Sequence, residues 1–235
     1  MPSTRLPEYF GKDLEAMSFA KNYHDWILSE FRDFLGNSVA EVGAGVGSFS
    51  ELLLKTKIER LTAFEPSANM FPLLQAATGE DNRCEAIQGF LANRPAEGLF
   101  DSVLYINVLE HIENDAAELR LARDSLHSGG HLIIFVPALP WLYSDVDRSV
   151  GHFRRYLKKP LLQLIQDTGL KVVRARYFDI AGILPWYISF VLLKNQMGGA
   201  SVAIYDKLVV PIMRVAENIL APPVGKNLLI IARKD

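Results

Sequence analysis

The run Ser38-Val-Ala-Glu-Val-Gly-Ala-Gly-Val-Gly-Ser-Phe-Ser50 constrains this chain more than any other segment. A β-prone stretch enters three glycines, Gly43, Gly45 and Gly47, and a helical pattern follows. Missing side chains let a backbone turn tightly and come close to a ligand. The helix after the turn presents free N–H groups at its start. Such a strand–turn–helix unit belongs at the carboxyl edge of an open parallel sheet. The rest of the chain repeats the alternation. Short apolar runs at Ser38–Val42, Arg60–Phe64, Cys84–Gln88, Phe100–Val108, His131–Val136, Leu170–Phe178 and Asn227–Ala232 read as strands, several of them buried on both faces. Helical periodicity falls between them, at Asp13–Phe34, Asn114–Leu126 and Pro160–Thr168. Gly129-Gly130 reads as a stop, and Pro160 as a first helical residue. The pattern predicts a doubly wound α/β fold with seven strands.

At 235 residues the chain is long enough to close one core without a staple. It divides into an N-terminal cap helix (1–36), a core (37–178), a helical insertion (179–226) and a last strand (227–235). Cys84 is the single cysteine, so an internal disulfide and a Cys-based zinc site are both excluded. The five histidines show no ligand spacing, and no metal is expected. Met1–Phe10 carries no secretory signal, which points to the cytoplasm. Charge is uneven. Up to Asp147 there are 22 Asp/Glu against 11 Lys/Arg, a net of −11; from Arg148 on there are 5 against 14, a net of +9. The halves either neutralise one another or the second half handles an anion.

Glu65 ends the second strand run, 18 residues after Gly47. An acid at that distance, on the neighbouring strand tip, can accept both hydroxyls of an adenosine ribose. The glycine spacing is G-x-G-x-G, and Ser48 stands where a dinucleotide fingerprint needs its third glycine. Glu41 just before the loop is a poor neighbour for a pyrophosphate but suits a cofactor carrying an ammonium and a sulfonium.

Glu41-Val-Gly-Ala-Gly-Val-Gly47 resembles motif I of class I S-adenosylmethionine-dependent methyltransferases. Phe64-Glu65-Pro66-Ser67 is similar to that family's ribose segment. Asn107-Val-Leu-Glu-His-Ile112 resembles its post-strand-four segment, and Leu126-His-Ser-Gly-Gly-His-Leu132 its turn into strand five. The resemblance covers roughly 17–137. It implies a Rossmann-like methyltransferase fold with strands six and seven antiparallel, and S-adenosyl-L-methionine as cofactor. Tyr23, Glu41, Gly43, Ala44, Gly45, Gly47, Glu65, Pro66, Met70, Phe90 and Asn107 become the cofactor-binding candidates. Phe90 stands where the family usually has an acid for the adenine amino group. It either stacks on the adenine or belongs to the core. Met70 is a candidate for the ring's other side, and Tyr23 for the methionine carboxylate.

Beyond strand five, Val136–Tyr156 is a polar, aromatic loop on the ligand side of the sheet. Its Gly-His-x-Arg-Arg-Tyr string resembles a subgroup linked to small-molecule, glycan or lipid modification. Methyl transfer to a hydroxyl needs alignment and removal of a proton; the unperturbed pKa of a histidine suits that task and makes His152 the candidate base. Arg154 or Arg155 could hold an acceptor carboxylate bidentately, or both could pair with Asp147 and fasten the loop. His111, Tyr143, Tyr156 and Trp186 complete the substrate-side candidates. Ile180–Leu193 carries no charge and is too short to span a membrane. It reads either as a helical cap packed on the sheet, or as a substrate cap, a homodimer contact or a peripheral membrane contact. The function expected is methylation, on oxygen, of a small-molecule, glycan or lipid-like acceptor, apolar and anionic in character. The alternatives are a catalytically silent cofactor-binding subunit and an RNA or protein methyltransferase. No nucleic-acid partner is expected, because no Asn/Asp-Pro-Pro-Tyr motif is present.

Overall fold

A computed structural model of the protein describes residues 20–94, 99–195 and 199–235. Its seven strands are β1 (Ser38–Val42), β2 (Arg60–Phe64), β3 (Cys84–Ile87), β4 (Phe100–Ile106), β5 (Leu126–Pro137), β6 (Lys171–Phe178) and β7 (Asn227–Arg233). They form one sheet in the order β3-β2-β1-β4-β5-β7-β6. The pairs from β3 to β5 are parallel; β7 runs antiparallel between β5 and β6. The winding reverses between β1 and β4, so their carboxyl tips flank the topological switch point where ligands bind in such sheets.

The continuous apolar strands follow from burial on both faces. In β5, Leu132, Ile134 and Val136 face one core with Leu119 and Ala122 of α4 (Asp115–Asp124) and Leu161 and Ile165 of α6 (Lys158–Gln166). Ile133 and Phe135 face the other, with Trp26, Ile27 and Phe31 of α1 (Lys21–Phe31) and Phe49 and Leu53 of α2 (Ser48–Leu54). Two further helices complete this part: α3 (Phe71–Thr78) against β3, and α5 (Asp145–Ser149) beyond β5.

Three local expectations need correction. Gly129-Gly130 does not stop the chain before a strand: β5 already begins at Leu126. Gly129 takes a positive φ of 81° inside it, with a register shift against β4 between Phe100 and Ser102. Pro160 is the third residue of α6, not the first, still within the turn whose N–H groups need no intrahelical partner. The N-terminal helix is described from Lys21 only; residues 13–19 of the expected helix lie outside the described residues.

The insertion comprises α7 (Ile183–Trp186), a π-helical turn Tyr187–Leu192, α8 (Gly199–Leu208) and α9 (Val210–Ile219). Its acids are buried anchors. Asp206 accepts from the backbone of Asn22 and Tyr23, and Glu217 accepts from the N–H groups of Asp179 and Ile180. Glu30 receives both Arg174 and Arg176 at 2.7 and 2.8 Å. Glu30 of the first half thus neutralises two bases of the second. No described helix is long and apolar enough to cross a membrane.

Candidate active site

A cavity of about 710 Å³ opens at the tips of β1, β2 and β4. At one end the backbone does the shaping. Gly43, Gly45 and Gly47 hold positive φ values of 70°, 59° and 87°. Gly43 and Ala44 both donate to the Phe64 carbonyl, folding the loop over the tip of β2. A Cβ on Gly43 would lie 2.7 Å from Val108 Cγ2, too close for any side chain. Glu65, just past β2, is clamped from two sides: Gly45 N–H donates to Oε2 at 2.7 Å, and Ser67 N–H to Oε1 at 2.8 Å. Each oxygen keeps a further acceptor site for a ribose hydroxyl. Burial raises the Glu65 carboxyl's pKa despite these two bonds. Glu41 is buried and takes a hydrogen bond from Ser50 Oγ at 2.5 Å. Loss of solvent drives its pKa up to about 8, and nearby Glu65 adds to the rise.

At the other end side chains do the shaping. Asp147, fully buried on α5, is a hub. Its Oδ2 accepts from the backbone and hydroxyl of Ser144, and its two oxygens accept from Arg155 Nε and Nη2 at 2.8 and 3.0 Å. Its Oδ1 also faces His152 Nδ1 at 2.9 Å. Burial would raise the Asp147 pKa, but the bonds from His152 and Arg155 outweigh it and hold the group ionised. With an ionised acceptor opposite it, Nδ1 of His152 carries a proton, and Nε2 is the ring nitrogen left for the cavity. Nε2 lies 3.9 Å from Oε1 of the fully buried Glu110. The His111 ring crosses the His152 ring edge-on at 4.6 Å. Desolvation, with His152 beside it, lowers the His111 pKa to about 4, so this ring is neutral. Phe153 N–H donates to the Glu110 carbonyl and ties the two loops together. The ligand atoms of Glu110, His111 and His152 all lie within 4.8 Å of one another.

A family model described as a methyltransferase domain matches residues 16–178. The chain belongs to this methyltransferase family. Its activity is S-adenosylmethionine-dependent, and S-adenosylmethionine is its cofactor. A curated relative, the ubiquinone biosynthesis O-methyltransferase of Xanthomonas euvesicatoria, is 22% identical over 174 residues, covering 66% of this chain and 70% of the relative. Among solved structures, a chain from a complex of the Haloferax volcanii Trm112 methyltransferase activator with a methyltransferase superposes with a TM-score of 0.66 at 14% identity, covering 95% of this chain and 94% of that one. A Thermotoga maritima S-adenosylmethionine-dependent methyltransferase superposes with a TM-score of 0.62 at 18% identity, covering 96% of each.

In this methyltransferase the cofactor candidates gather as a group. Glu41, Gly43, Ala44, Gly45, Glu65 and Pro66 line the cavity, joined by Met70, Phe90 and Asn107. Phe90 is half exposed and therefore not core. Gly47 is not in the wall. A Cβ there would meet Ala77 at 3.0 Å, so its smallness serves the approach of α2 to α3. Tyr23 reaches the cavity with its ring packed among Trp26, Phe135 and Phe178, and its hydroxyl donates to Asn227 Oδ1 at 3.1 Å.

The substrate-side candidates split. His111, His152, Arg155 and Trp186 line the cavity; Tyr143, Arg154 and Tyr156 do not. Arg154 bonds Asp115 Oδ2 and the Glu113 carbonyl, Tyr156 bonds Asp115 and the Leu109 carbonyl, and Tyr143 donates to the His152 carbonyl. Arg155 already has its bidentate carboxylate in Asp147 and lies under the Trp186 ring at 4.5 Å. The expected carboxylate clamp on the acceptor is therefore not what these arginines build; they fasten the loop. Sequence reasoning missed Glu110 and Lys226. Glu110 stood beside His111 in a segment already singled out. Lys226, paired with Asp179 at 3.0 Å and facing Trp186 and Tyr23, carried no signal beyond its place before the last strand.

Proposed function

We propose that this methyltransferase transfers the methyl group to an oxygen of a small, largely apolar acceptor, and that His152 makes that oxygen nucleophilic. One observation carries the reading: Asp147 holds Nδ1 of His152, leaving Nε2 turned to the cavity beside Glu110. A methyl bound to sulfonium is already activated, so the protein's tasks are alignment and deprotonation of the hydroxyl. Glu65 and the glycine loop hold the adenosine, and Glu41 lies where it can meet the cofactor's positive charge. Trp186, Phe153, Val150 and Phe90 give the remaining wall an apolar character. The name of the Xanthomonas relative, an O-methyltransferase, is consistent with oxygen as the target. The test is incubation with S-adenosylmethionine and a panel of phenolic, glycan and lipid-like hydroxyl acceptors, read by mass spectrometry. Methyl ethers formed by the native protein and not by His152→Ala support the reading. Methylation confined to amines, or His152→Ala at native turnover, overturns it.

A further inference from the structure

We infer that Glu110, His111 and His152 form a binding site for a divalent first-row cation of zinc-like chemistry at the acceptor end of the cavity. Three observations point there. First, the donor set is two imidazoles and one carboxylate, with every ligand atom within 4.8 Å of the others. Bonds of ~2.0–2.2 Å to one ion place donors roughly 3–4.4 Å apart, so small side-chain adjustments close the site. Second, His152 already has the support a metal-bound imidazole needs. Its Nδ1 is committed to the buried Asp147 carboxylate, itself held by Arg155 and Ser144, and this aims Nε2 at Glu110. A carboxylate behind the histidine fixes the ring and raises its basicity as a ligand. Third, all three side chains line the cavity, so three protein donors leave open positions facing the acceptor.

Chain spacing hid the cluster. His111 follows β4 and His152 follows β5, and they meet because both loops turn over the same edge of the sheet, tied by the Phe153–Glu110 backbone bond. Two imidazole nitrogens and one carboxylate oxygen favour zinc and the later first-row ions over magnesium, calcium or manganese, which take oxygen ligands.

The site's role, though not the site itself, rests on the O-methylation reading. A cation there acts as a Lewis acid, drawing electron density from the acceptor hydroxyl and lowering its pKa. The hydroxyl proton passes to water at the cavity mouth. The oxygen's electron pair then forms the new bond to the methyl carbon, the carbon–sulfur bond breaks, and the sulfonium leaves as a neutral thioether. His152 makes the acceptor oxygen nucleophilic in this scheme through the ion it holds, and the lower turnover expected of His152→Ala then follows from loss of that ion.

The experiment uses the full chain, stripped with chelator, desalted and titrated with Co2+. The visible absorption of the ion reports its coordination, and Zn2+ competition reports affinity. The native protein should bind one equivalent with a tetrahedral or five-coordinate spectrum. Glu110→Gln and His111→Gln should each weaken binding at least ~10-fold, while their affinity for S-adenosylhomocysteine stays native and shows that both are folded. Equal Co2+ binding by native protein and variants, or none by any, overturns the site. Methyl-ether formation undiminished by chelation overturns the role and leaves O-methylation standing. Stoichiometric Co2+ binding in a protein that methylates only nitrogen leaves the site standing and overturns O-methylation.

Discussion

At the glycine-loop end of the cavity, proposed for the cofactor, main-chain atoms on strand tips do the holding; at the opposite end, proposed for the acceptor, a web of side chains from two loops does most of it. The glycine loop is fixed by two N–H groups on one carbonyl and by positive φ values that side chains resist. Glu65 is fixed by two further N–H groups. Across the cavity backbone bonds contribute as well, from Phe153 N–H to the Glu110 carbonyl and from Ser144 N–H to Asp147 Oδ2, but side chains place the histidine. His152 is placed by Asp147, Asp147 by Arg155 and Ser144, and Arg155 by Trp186. The first construction tolerates little change in shape. The second can be retuned by exchanging one side chain, as expected where one fold serves many acceptors.

The contrast predicts that the two ends fail differently. His152→Ala should show the largest effect, a fall in turnover of ~10²–10⁴-fold, with affinity for S-adenosylhomocysteine unchanged. Steady-state kinetics beside calorimetry separates the two quantities. A loss of cofactor affinity of similar size would merge the two ends into one site.

This difference also explains what was legible from sequence. A turn that needs positive φ announces itself as glycine, and a strand buried on both faces announces itself as an unbroken apolar run. Gly43, Gly45, Glu65 and all seven strands were therefore readable. Side-chain webs leave no such periodic trace. Arg154 and Arg155 looked equally fit to hold an acceptor, and only their packing shows that Asp115 and Asp147 take them instead. Glu110 was overlooked because a carboxylate next to a histidine on a strand-tip loop looks like surface, yet it is fully buried.

Gly43→Val should come next. A left-handed residue with a branched side chain costs at least ~1–2 kcal/mol, and contact with Val108 at 2.7 Å adds to it. Thermal unfolding should show a lowered Tm as well as lost cofactor binding. Native stability with lost binding would mean the loop is held by less than the structure shows.

Glu41 gives a smaller effect, set by pH. Its carboxyl has a pKa of about 8 in the free protein, so at pH 7 it is mostly protonated. A bound ammonium and sulfonium favour the carboxylate and lower that pKa. Binding of S-adenosylmethionine should therefore release a proton near pH 7. Its affinity should rise with pH, by about tenfold per unit of pKa shift, until it levels off above pH 8. Calorimetry in two buffers of different ionisation enthalpy reads the proton directly, and Glu41→Gln should abolish the release.

The smallest effect belongs to Arg154→Ala. The residue pairs with Asp115 at 2.8 Å in a partly exposed setting, worth ~0–1 kcal/mol. Its KM for acceptor should stay native, and a marked rise would return Arg154 to the acceptor's contacts.

The most direct test of the division of labour is one calorimetric titration of S-adenosylhomocysteine into three proteins: native, Glu65→Ala and His152→Ala. Glu65→Ala should lose ~1.5–3 kcal/mol, the range for hydrogen bonds to a charged group, which is roughly 10- to 150-fold in Kd. His152→Ala should bind as the native protein does. Native affinity in Glu65→Ala, or an equal loss in His152→Ala, would contradict the account.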